Sequence, residues 1–483
     1  MDGYLTKANF MSGLQCQKQL WLTVKEPHRA TAPTPAQQRL LEQGNEVGRY
    51  ARQQFPQGHL IEGNGFEAVQ STQAAIAAGA SCLFEATFCF DHVFVRCDIL
   101  RQTATATWEV LEVKASSQVK AEHYWDVAVQ AYVLAGVGLL VGAAKLMHIN
   151  TQTCRFPNLA NLFTIVDITA AVDRLLPAIP DKLRELRSAL IEPEPTLAIG
   201  KHCSNPNPCA FTKDCWQHVP ELSIFTIPRL DWNQKEALIA QGLLALADLP
   251  PDMPLTANQR TYVESSRSQQ PVIAQAAIAA SLAALAYPIH FFDFESQSQA
   301  IPTFGGLKPY EQLPFQYSCH SLHEDGRVEH RAYLHMDSSD PRPTLIDALL
   351  ADIAPTGSIV VYHQSFEASL LRQLAQTFPT HAIHLEAIVA RLWDLEVIFK
   401  QHYKHPAFRG STSIKRVLPV LVPSLSYNAL TVQRGDQAQT IWEQLLCCTD
   451  GATKTQLMED LKAYCHLDTL AMVELYKALC ELV

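Results

Sequence analysis

Two carboxylates stand two residues apart in the apolar segment 288-PIHFFDFESQ-297. In a β-strand, residues i and i+2 point to the same side, so Asp293 and Glu295 would share one face. Phe292 and Phe294 would then pack on the opposite face. Like charges held this close repel each other and are costly to remove from water. We therefore expect a positive group between the two acids, either a metal ion or a basic side chain.

Two further acids follow at the ends of predicted elements. In 358-SIVVYHQSFEASLLRQL-374, an apolar strand is predicted to end near Tyr362, and Glu367 falls in the first turn of the helix that follows. In 389-VARLWDLEVIF-399, Asp394 interrupts a helical apolar pattern. Glu367 is therefore a candidate member of the same site, and Asp394 is a candidate supporting residue.

A late helix supplies the last two groups. In 461-LKAYCHLDTLAMVELYKAL-479, Tyr464 and Asp468 are four residues apart and so share one helix face. The order is Asp-x-Glu on a strand, an acid after a strand-to-helix turn, and Tyr-x-x-x-Asp on a late helix. It resembles the DEDD 3′–5′ exonuclease superfamily in its tyrosine version, which has an RNase H-like fold. The resemblance covers about residues 286–483.

This resemblance implies a site for phosphodiester hydrolysis with two Mg²⁺ or Mn²⁺ ions about 4 Å apart. Hard cations take oxygen ligands, which fits a set of acids. By resemblance, Asp293 bridges both ions, Glu295 and Asp468 complete one metal site, and Tyr464 orients the attacking water. The second motif departs from the family, because Glu367 stands where relatives have aspartate. That departure leaves open whether this site is active, and a salt bridge at a strand end remains the alternative for the Asp-x-Glu pair.

A second set of charged residues occurs upstream, in 93-VFVRCDILRQTATATWEVLEVKAS-116, which is predicted to form a β-hairpin. If the turn centres near Thr105, Asp98 lies opposite Glu112. Glu112 and Lys114 face the same side. The pattern resembles the PD-(D/E)xK nuclease superfamily, in which two acids bind a divalent metal and the lysine positions or deprotonates the attacking water. A Glu-x-Lys pair alone would be an ordinary cross-strand ion pair.

Neighbouring predicted helices extend this resemblance toward RecB-type nucleases. The segment 123-HYWDVAVQAYVLAGV-137 places Gln130 and Tyr132 on the helix after the hairpin. A glutamine and a tyrosine there resemble the third motif of RecB-type enzymes. Upstream, Glu46 offers the acid that such enzymes carry on an early helix. These three residues are therefore candidate members of the upstream site.

Four of the 13 cysteines are candidate ligands. Cys203, Cys209 and Cys215 are equally spaced in the loop 200-GKHCSNPNPCAFTKDCW-216, and Cys16 lies near the N-terminus. This split arrangement resembles the iron–sulfur RecB-like nucleases. The resemblance implies a [4Fe–4S] cluster that links the N-terminus to the end of the nuclease domain. Structural zinc is the alternative. An odd number of cysteines without a regular framework argues against structural disulfides.

The full order of motifs resembles an uncharacterised bacterial family. In that family an iron–sulfur RecB-like nuclease domain precedes a C-terminal domain of unknown function of the DUF2779 type, with exonuclease-like acids. The resemblance implies an α/β protein in three parts. Residues 1–215 form a PD-(D/E)xK restriction-endonuclease-like domain, 216–285 a helical connector with a helix-hairpin-helix-like unit, and 286–483 an RNase H-like domain. Within the connector, residues 233–250 are predicted to form helix, turn and helix, and residues 272–286 a helix that leads into Pro288. The resemblance rests further on Leu5, Lys7, Cys16-x-Lys18, 292-FDFES-296, 362-YHQSFE-367, 410-GSTSIKRVLP-419 and 463-AYCHLDTLAMV-473.

Composition and charge limit the function classes. A chain of 483 residues with 48% hydrophobic residues is expected to fold into two or three domains. A formal charge of −10 argues against a uniformly basic surface for nucleic acid, although a local basic groove stays possible. The apolar run 131–144, predicted to be a buried helix, is shorter than the roughly 20 residues that a spanning helix needs. No signal peptide is visible, so we expect a cytoplasmic protein without a membrane partner.

The predicted function is that of a metal-dependent, exonuclease-type hydrolase with two active sites, acting on DNA or else RNA. The expected cofactors are Mg²⁺ or Mn²⁺ and a [4Fe–4S] cluster, and the expected partner is nucleic acid. The alternatives are a nucleic-acid-binding scaffold with one or both sites inactive, and a structural zinc protein. The basic candidates for phosphate contacts are Lys7, Lys18, Lys114, Lys120, Lys404, Arg409, Lys415 and Arg416.

Overall fold

The structure is a computed structural model that describes residues 3–483, and the chain divides into two compact units. Unit 1 comprises Met1–His218 and Gln299–Glu311, and unit 2 comprises Val219–Ser298 and Gln312–Val483. Each unit combines β-sheet with helices, which is a mixed α/β architecture. The predicted connector 216–285 lies almost entirely in unit 2, and the short segment 299–311 belongs to unit 1.

Unit 1 is built on a mixed sheet whose strands follow the order β2-β3-β4-β5-β6-β7, with β1 paired to β4. Its strands are β1 (Leu5–Thr6), β2 (His59–Leu60), β3 (Cys82–Phe90), β4 (Val93–Gln102), β5 (Trp108–Lys114), β6 (Val141–Ile149) and β7 (Phe163–Asp167). Its helices are α1 (Lys7–Gln15), α2 (Gln17–Lys25), α3 (Pro35–Gln53), α4 (Gly65–Ala77), α5 (Ala121–Gly136), α6 (Thr169–Leu175), α7 (Ile179–Ile191) and α8 (Thr212–Cys215). Strand β5 pairs with β4 antiparallel and with β6 parallel. It is therefore a central strand.

The predicted hairpin is confirmed as β4 and β5. Its register pairs Ile99 with Leu111 and Gln102 with Trp108, as a turn centred near Thr105 requires. The predicted helix over 131–144 is wrong in its second half, because α5 ends at Gly136 and strand β6 begins at Val141. Gly138, with φ +87°, adopts the left-handed conformation that ends the helix and redirects the chain into the sheet.

Unit 2 contains a second mixed sheet, with strand order β11-β10-β9-β12-β13. The strands of unit 2 are β8 (Val272–Ile273), β9 (Ile289–Ser298), β10 (Gln312–Leu322), β11 (Val328–Leu334), β12 (Ile359–Val361), β13 (Leu392–Asp394) and β14 (Tyr403–Lys404). Strands β8 and β14 form a separate two-stranded sheet. Its helices are α9 (Trp232–Ala240), α10 (Ala257–Ser268), α11 (Gln275–Ala283), α12 (Pro341–Asp352), α13 (Gln364–Thr377), α14 (Ala382–Val389), α15 (Glu396–Gln401), α16 (Ile414–Leu421), α17 (Gly435–Cys447) and α18 (Gly451–Leu482). Strands β9, β10 and β11 are antiparallel, whereas β12 and β13 run parallel to β9.

The two faces of β9 carry different chemistry. Phe292 and Phe294 are 0% and 4% exposed and pack in a core with apolar residues of α12, α13 and α14. Because side chains alternate along a strand, Asp293 and Glu295 point to the other face. Residues of α18 pack against β9 and β10. The alternation predicted from the sequence is therefore present.

The first part of unit 2 differs from its prediction. A core around Ile224, Leu238 and Tyr262 joins α9 and α10, but the second helix expected within 233–250 is only a 3₁₀ turn at Leu246–Asp248. The expected helix over 272–286 begins later, because Val272–Ile273 instead pairs as a strand with β14. Within residues 3–483, no helix combines the length and the apolar character needed to cross a bilayer.

Candidate active sites and metal centres

Acids from distant parts of the sequence meet in a cleft of unit 2. Asp293 and Glu295 on β9 and Asp468 on α18 line an open cleft of about 340 Å³. Ligand atoms of Asp293, Glu295 and Cys465 lie within 4.8 Å of one another. Glu295 and Asp468 are only 6% and 8% exposed. Together with Glu367 these carboxylates form the unit 2 acid cluster.

Repulsion within this cluster is poorly compensated. Burial, and then the charges of Asp468 and Glu295, raise the pKa of Asp293 well above its ordinary value. Burial and Asp468 raise the pKa of Glu295 in the same way. Burial raises the pKa of Asp468 to about 6, although the Tyr427 hydroxyl and the Lys415 ammonium act in the opposite direction. Protons or a bound cation are therefore needed to relieve the repulsion.

Glu367 adds a buried acid without a hydrogen-bonding partner at one oxygen. It lies in the first turn of α13, as predicted, and is 2% exposed. Its Oε2 accepts no hydrogen bond from any residue of the described chain. Burial, and then the charge of Asp394, raise its pKa to about 8. Its charge also contributes to the raised pKa of Asp293. Such an oxygen is a donor that a hard cation would satisfy.

Two tyrosines and a lysine flank the acids. The Lys415 ammonium donates a 3.0 Å hydrogen bond to the Tyr464 hydroxyl and lies 5.1 Å from the centre of the Tyr427 ring. The Tyr427 hydroxyl donates a 2.6 Å hydrogen bond to Asp468 Oδ1. The sequence pattern missed Tyr427, because 424-SLSYNAL-430 carries no spacing that links it to the helix of Asp468. Lys415, predicted as a phosphate contact, lines the cleft.

Asp394 occupies a different element from the one predicted. It ends strand β13 and does not interrupt a helix. Its Oδ1 accepts hydrogen bonds of 3.0 Å from the backbone N–H groups of His363 and Glu396. His363 has φ +82°, a left-handed conformation that non-glycine residues rarely adopt. Asp394 thus holds the turn that leads into α13 and is a positioning residue for Glu367.

In unit 1, the hairpin acids meet two lysines. The Lys114 ammonium donates to Glu112 Oε1 at 2.7 Å and to Asp126 Oδ2 at 2.5 Å. Lys7 Nζ lies 2.8 Å from Glu112 Oε1 and 3.1 Å from Asp126 Oδ1. Asp98 accepts a 2.7 Å hydrogen bond from the backbone N–H of Val113. Lys7, Asp98, Glu112, Lys114 and Asp126 form the unit 1 ionic cluster. Sequence reasoning missed Asp126, although it lies one helical turn before the Gln130 that it singled out.

Gln130 also contacts this cluster, in which the pKa values of Asp98 and Glu112 are shifted in opposite directions. Gln130 Nε2 donates a 2.8 Å hydrogen bond to Glu112 Oε2. Burial, and then Glu112, raise the pKa of Asp98 to about 7. Burial opposes ionisation of Glu112, but Lys114 and Lys7 outweigh it and lower the pKa of Glu112. Near neutral pH Glu112 is therefore ionised whereas Asp98 is about half protonated, so the two acids differ in their readiness to accept a cation.

Two predicted members of the upstream site point elsewhere. Glu46 is on α3, as expected, but it is exposed and pairs with Arg49 at 3.3 Å on the same helix. The Tyr132 hydroxyl donates a 3.1 Å hydrogen bond to Asp91. Arg187 binds the same carboxylate at 3.0 Å. The rotation of each helix, which the motif alone does not determine, turns these side chains toward other partners.

The four singled-out cysteines line one small cavity in unit 1. Cys16 is the N-cap of α2, and its sulfur accepts a 3.4 Å hydrogen bond from the backbone N–H of Gln19. Burial raises the pKa of Cys209 to about 11, while an N–H of Phe211 acts in the opposite direction. Burial likewise raises the pKa of Cys16. Clustered thiols with backbone N–H groups at their sulfurs are a donor set that fits soft thiolate ligation.

The remaining basic residues predicted as phosphate contacts differ in whether their side chains are free to bind a phosphate. Lys18 binds Glu194 at 2.8 Å. Lys404 is 7% exposed and donates to backbone carbonyls, one of them that of Phe399 at 3.0 Å, so it is not a surface phosphate contact. Arg409 binds Glu221. The side chains of Lys120 and Arg416 are exposed.

The chain is similar to a family described as of unknown function and to two relatives whose names call them uncharacterised. A family described as "Domain of unknown function (DUF2779)" matches residues 290–413. The chain is 32% identical over 206 residues to "Uncharacterized protein MG366 homolog" of Mycoplasma pneumoniae, a match covering 38% of this chain and 31% of that protein. It is 28% identical over 209 residues to "Uncharacterized protein UU173" of Ureaplasma parvum, covering 38% and 30%. The matched part thus spans less than a third of either relative's length.

One solved structure has a weak likeness to part of the chain. It is titled "Crystal structure of SSO0001" and covers 38% of this chain and 77% of its own. The identity is 10% and the TM-score is 0.18. A likeness at this level carries no argument about fold or activity.

Proposed function

We propose that this chain is a metal-dependent nuclease that hydrolyses phosphodiesters of nucleic acid at two sites. The observation that carries the proposal is the meeting of Asp293, Glu295 and Asp468 at one cleft, with pKa values raised by burial and mutual repulsion. A buried set of repelling carboxylates that opens to solvent needs a counter-ion. A divalent cation with an anionic substrate meets that need.

The donors of the unit 2 acid cluster fit Mg²⁺ or Mn²⁺. Asp293, Glu295 and Asp468 offer carboxylate oxygens, and Glu367 adds the oxygen that lacks a hydrogen bond. When bound, such ions would polarise a phosphodiester and lower the pKa of water. Burial keeps the pKa of the Cys465 thiol well above its ordinary value, so this soft group is a poor ligand here.

The positions of Lys415 and Tyr464 support roles in substrate binding and hydrolysis. Both line the same cleft as the acids. The Lys415 ammonium would neutralise a phosphate oxygen, because it donates a hydrogen bond to the neutral Tyr464 hydroxyl. The Tyr464 hydroxyl would orient a water molecule beside Asp468.

The unit 1 ionic cluster supports a second hydrolytic site. Asp98 and Glu112 would hold a divalent cation, and Lys114 would position the attacking water. Gln130 fixes one Glu112 oxygen through its 2.8 Å hydrogen bond. The cysteine cavity of the same unit would hold a [4Fe–4S] cluster, with Cys16, Cys203, Cys209 and Cys215 as its ligands. That group would tie the N-terminal helices to the loop after α7.

The proposal is tested with end-labelled single- and double-stranded DNA and RNA in the presence of Mn²⁺. The double variants Asp98→Ala/Lys114→Ala and Asp293→Ala/Asp468→Ala should each lose one activity by at least about 100-fold and keep the other, which is the scale of removing a group that stabilises a transition state. The exposed pair Asp181→Ala/Arg184→Ala is the matched control and should retain both. Binding of nucleic acid by the wild type without cleavage would favour the scaffold alternative.

A further inference from the structure

Three histidines of unit 2 form a cluster that the proposed nuclease chemistry does not use. His320 on β10 and His330 on β11 are direct cross-strand partners. His466 on α18 packs against both, with ring centroids 4.7 Å from His320 and 4.5 Å from His330. One ring nitrogen from each of the three lies within 4.8 Å of the other two. We call His320, His330 and His466 the histidine cluster.

Hydroxyl groups behind the cluster orient two of its rings. His320 Nδ1 lies 2.8 Å from Thr469 Oγ1, and His330 Nε2 lies 2.9 Å from Ser318 Oγ. Ser318 and Thr469 hydroxyls are 2.7 Å apart and both are fully buried. His320 and His330 therefore each use one ring nitrogen in the hydroxyl network, which leaves the other nitrogen for a ligand. This is the arrangement found around metal-binding histidines, whose second nitrogen is held by an outer group.

We propose that His320, His330 and His466 bind one divalent transition-metal ion of the zinc type. Three imidazoles leave a fourth position, and the exposed side chain of His330 puts the cluster within reach of solvent. Zn²⁺ accepts imidazole ligands readily, whereas Mg²⁺ prefers oxygen. Zinc–nitrogen bonds of about 2.0–2.1 Å at tetrahedral angles place the nitrogens roughly 3.3 Å apart. Small ring rotations, which the exposed His330 permits, would close the cluster onto the ion.

The electrostatic state of the three rings is compatible with ligation. Burial and the neighbouring histidines lower the pKa of His320 to about 3 and that of His330 to about 4. Burial also lowers the pKa of His466. Neutral imidazoles are the form that binds metal, so no proton has to be displaced near neutral pH.

This metal would fasten the β10–β11 hairpin to the helix that carries Tyr464 and Asp468. Ser318, which binds the histidine cluster, is also the cross-strand partner of Asp293. His320 lies two residues further along β10, about 7 Å at the usual rise per residue. The histidine cluster is therefore a neighbour of the unit 2 acid cluster and shares no ligand with it. Its role would be to hold α18 in position.

The test measures zinc bound per chain by mass spectrometry, after chelator treatment and addition of Zn²⁺ to the full-length protein. His330→Ala and His466→Ala should each bind one equivalent less than the wild type. His323→Ala, a histidine at the turn of the same hairpin, should bind the wild-type amount. Because any zinc in the cysteine cavity is present in all these proteins, the difference isolates the histidine cluster.

A second variant separates ligation from folding. Thr469→Val removes the hydroxyl behind His320, and removal of such outer partners typically weakens metal affinity by about 10–100-fold. Zinc affinity, measured against a competing chelator, should fall by that factor while the far-ultraviolet circular dichroism stays unchanged. Equal zinc stoichiometry in wild type, His330→Ala and His466→Ala would overturn the proposal. The nuclease assay is not needed for this outcome, so the two proposals fail independently.

Discussion

At the residue scale, the two candidate sites balance charge differently. In the unit 1 ionic cluster, Lys7 and Lys114 contact the carboxylates directly. In the unit 2 acid cluster, the charge of the nearby Lys415 acts to lower the pKa of Asp468, but its ammonium donates a hydrogen bond to the Tyr464 hydroxyl. A buried acid without a direct cationic partner is stabilised by protonation or by metal. The unit 2 site should therefore depend more strongly on divalent ions and on pH.

Metal-free protein should lose stability as the pH rises from about 4, the ordinary carboxyl pKa, to about 8, the folded pKa of Glu367. The folded pKa values of Asp468, about 6, and Glu367, about 8, lie above ordinary carboxyl values, so the folded state binds these protons more tightly. That stabilisation is complete below pH of about 4 and is lost as the pH passes the two folded values. Each tenfold difference in proton affinity corresponds to about 1.4 kcal/mol.

Urea unfolding in a chelator checks this expectation. The double variant Asp468→Asn/Glu367→Gln is the matched control, because it keeps the side-chain shapes and removes both titrations. The free energy of unfolding of the wild type should fall more steeply with pH than that of the variant. Added Mn²⁺ should reverse the loss in the wild type at the upper end of the range. Parallel pH profiles for the two proteins would contradict the assignment.

At the element scale, α18 and the loop before α16 bring the unit 2 groups together. Helix α18 presents Tyr464 and Asp468 to the cleft and His466 to the hairpin. It begins at a cap in which Asp450 accepts a 2.8 Å hydrogen bond from the N–H of Thr453. The loop before α16 leads into Lys415, which lies in the first turn of that helix. A small displacement of either element would separate side chains that lie within hydrogen-bonding distance of each other.

Gly410 is expected to be essential for that loop. Its φ of +74° is left-handed, and an added Cβ would collide with the backbone carbonyl of Thr226. Gly410→Ala should therefore lower the free energy of unfolding by about 1–3 kcal/mol or more, measured by denaturant titration. Gly451→Ala, at the start of α18 with open space around it, should instead raise it by about 0.4–1 kcal/mol. Equal effects of the two substitutions would refute the strain argument.

At the scale of the whole molecule, the chain's two units are not two continuous stretches. The segment Gln299–Glu311 follows β9 of unit 2 in sequence but belongs to unit 1. Ala300 and Ile301 are 1% and 4% exposed in a core with Val47 and Leu162. The Phe156 N–H also donates a 3.0 Å hydrogen bond to the Leu307 carbonyl. A fragment ending near residue 218 would lack this part of the unit 1 core.

Ile301→Ala should therefore destabilise unit 1 although its neighbours in sequence belong to unit 2. Loss of this buried side chain should cost about 2–5 kcal/mol. Hydrogen exchange followed by mass spectrometry should show faster exchange in peptides of β5 and β6 and little change in those of α13. Ile383→Ala is the control, because Ile383 is 82% exposed and its loss should change stability by less than about 0.5 kcal/mol. Faster exchange confined to unit 2 would contradict the division.

Much of each candidate site follows from local periodicity. The two-residue repeat of β9 puts Asp293 and Glu295 on one face, and the helical repeat of α18 aligns Tyr464 with Asp468. The symmetry of the hairpin about Thr105 sets its register. Such relations depend on residues within one element or one turn, where backbone geometry alone decides direction.

The tertiary structure decided the rest, because side chains far apart in sequence meet only through packing. It inserted Lys7 between Glu112 and Asp126, and it placed Tyr427 against Asp468. It also turned Tyr132 away from the unit 1 ionic cluster and assembled the histidine cluster from three elements. The sequence by itself determined which acids share a face. The partners of these acids were determined by helix rotation and by long-range contacts. Such contacts cost chain entropy and form only because the packing of the whole core stabilises them.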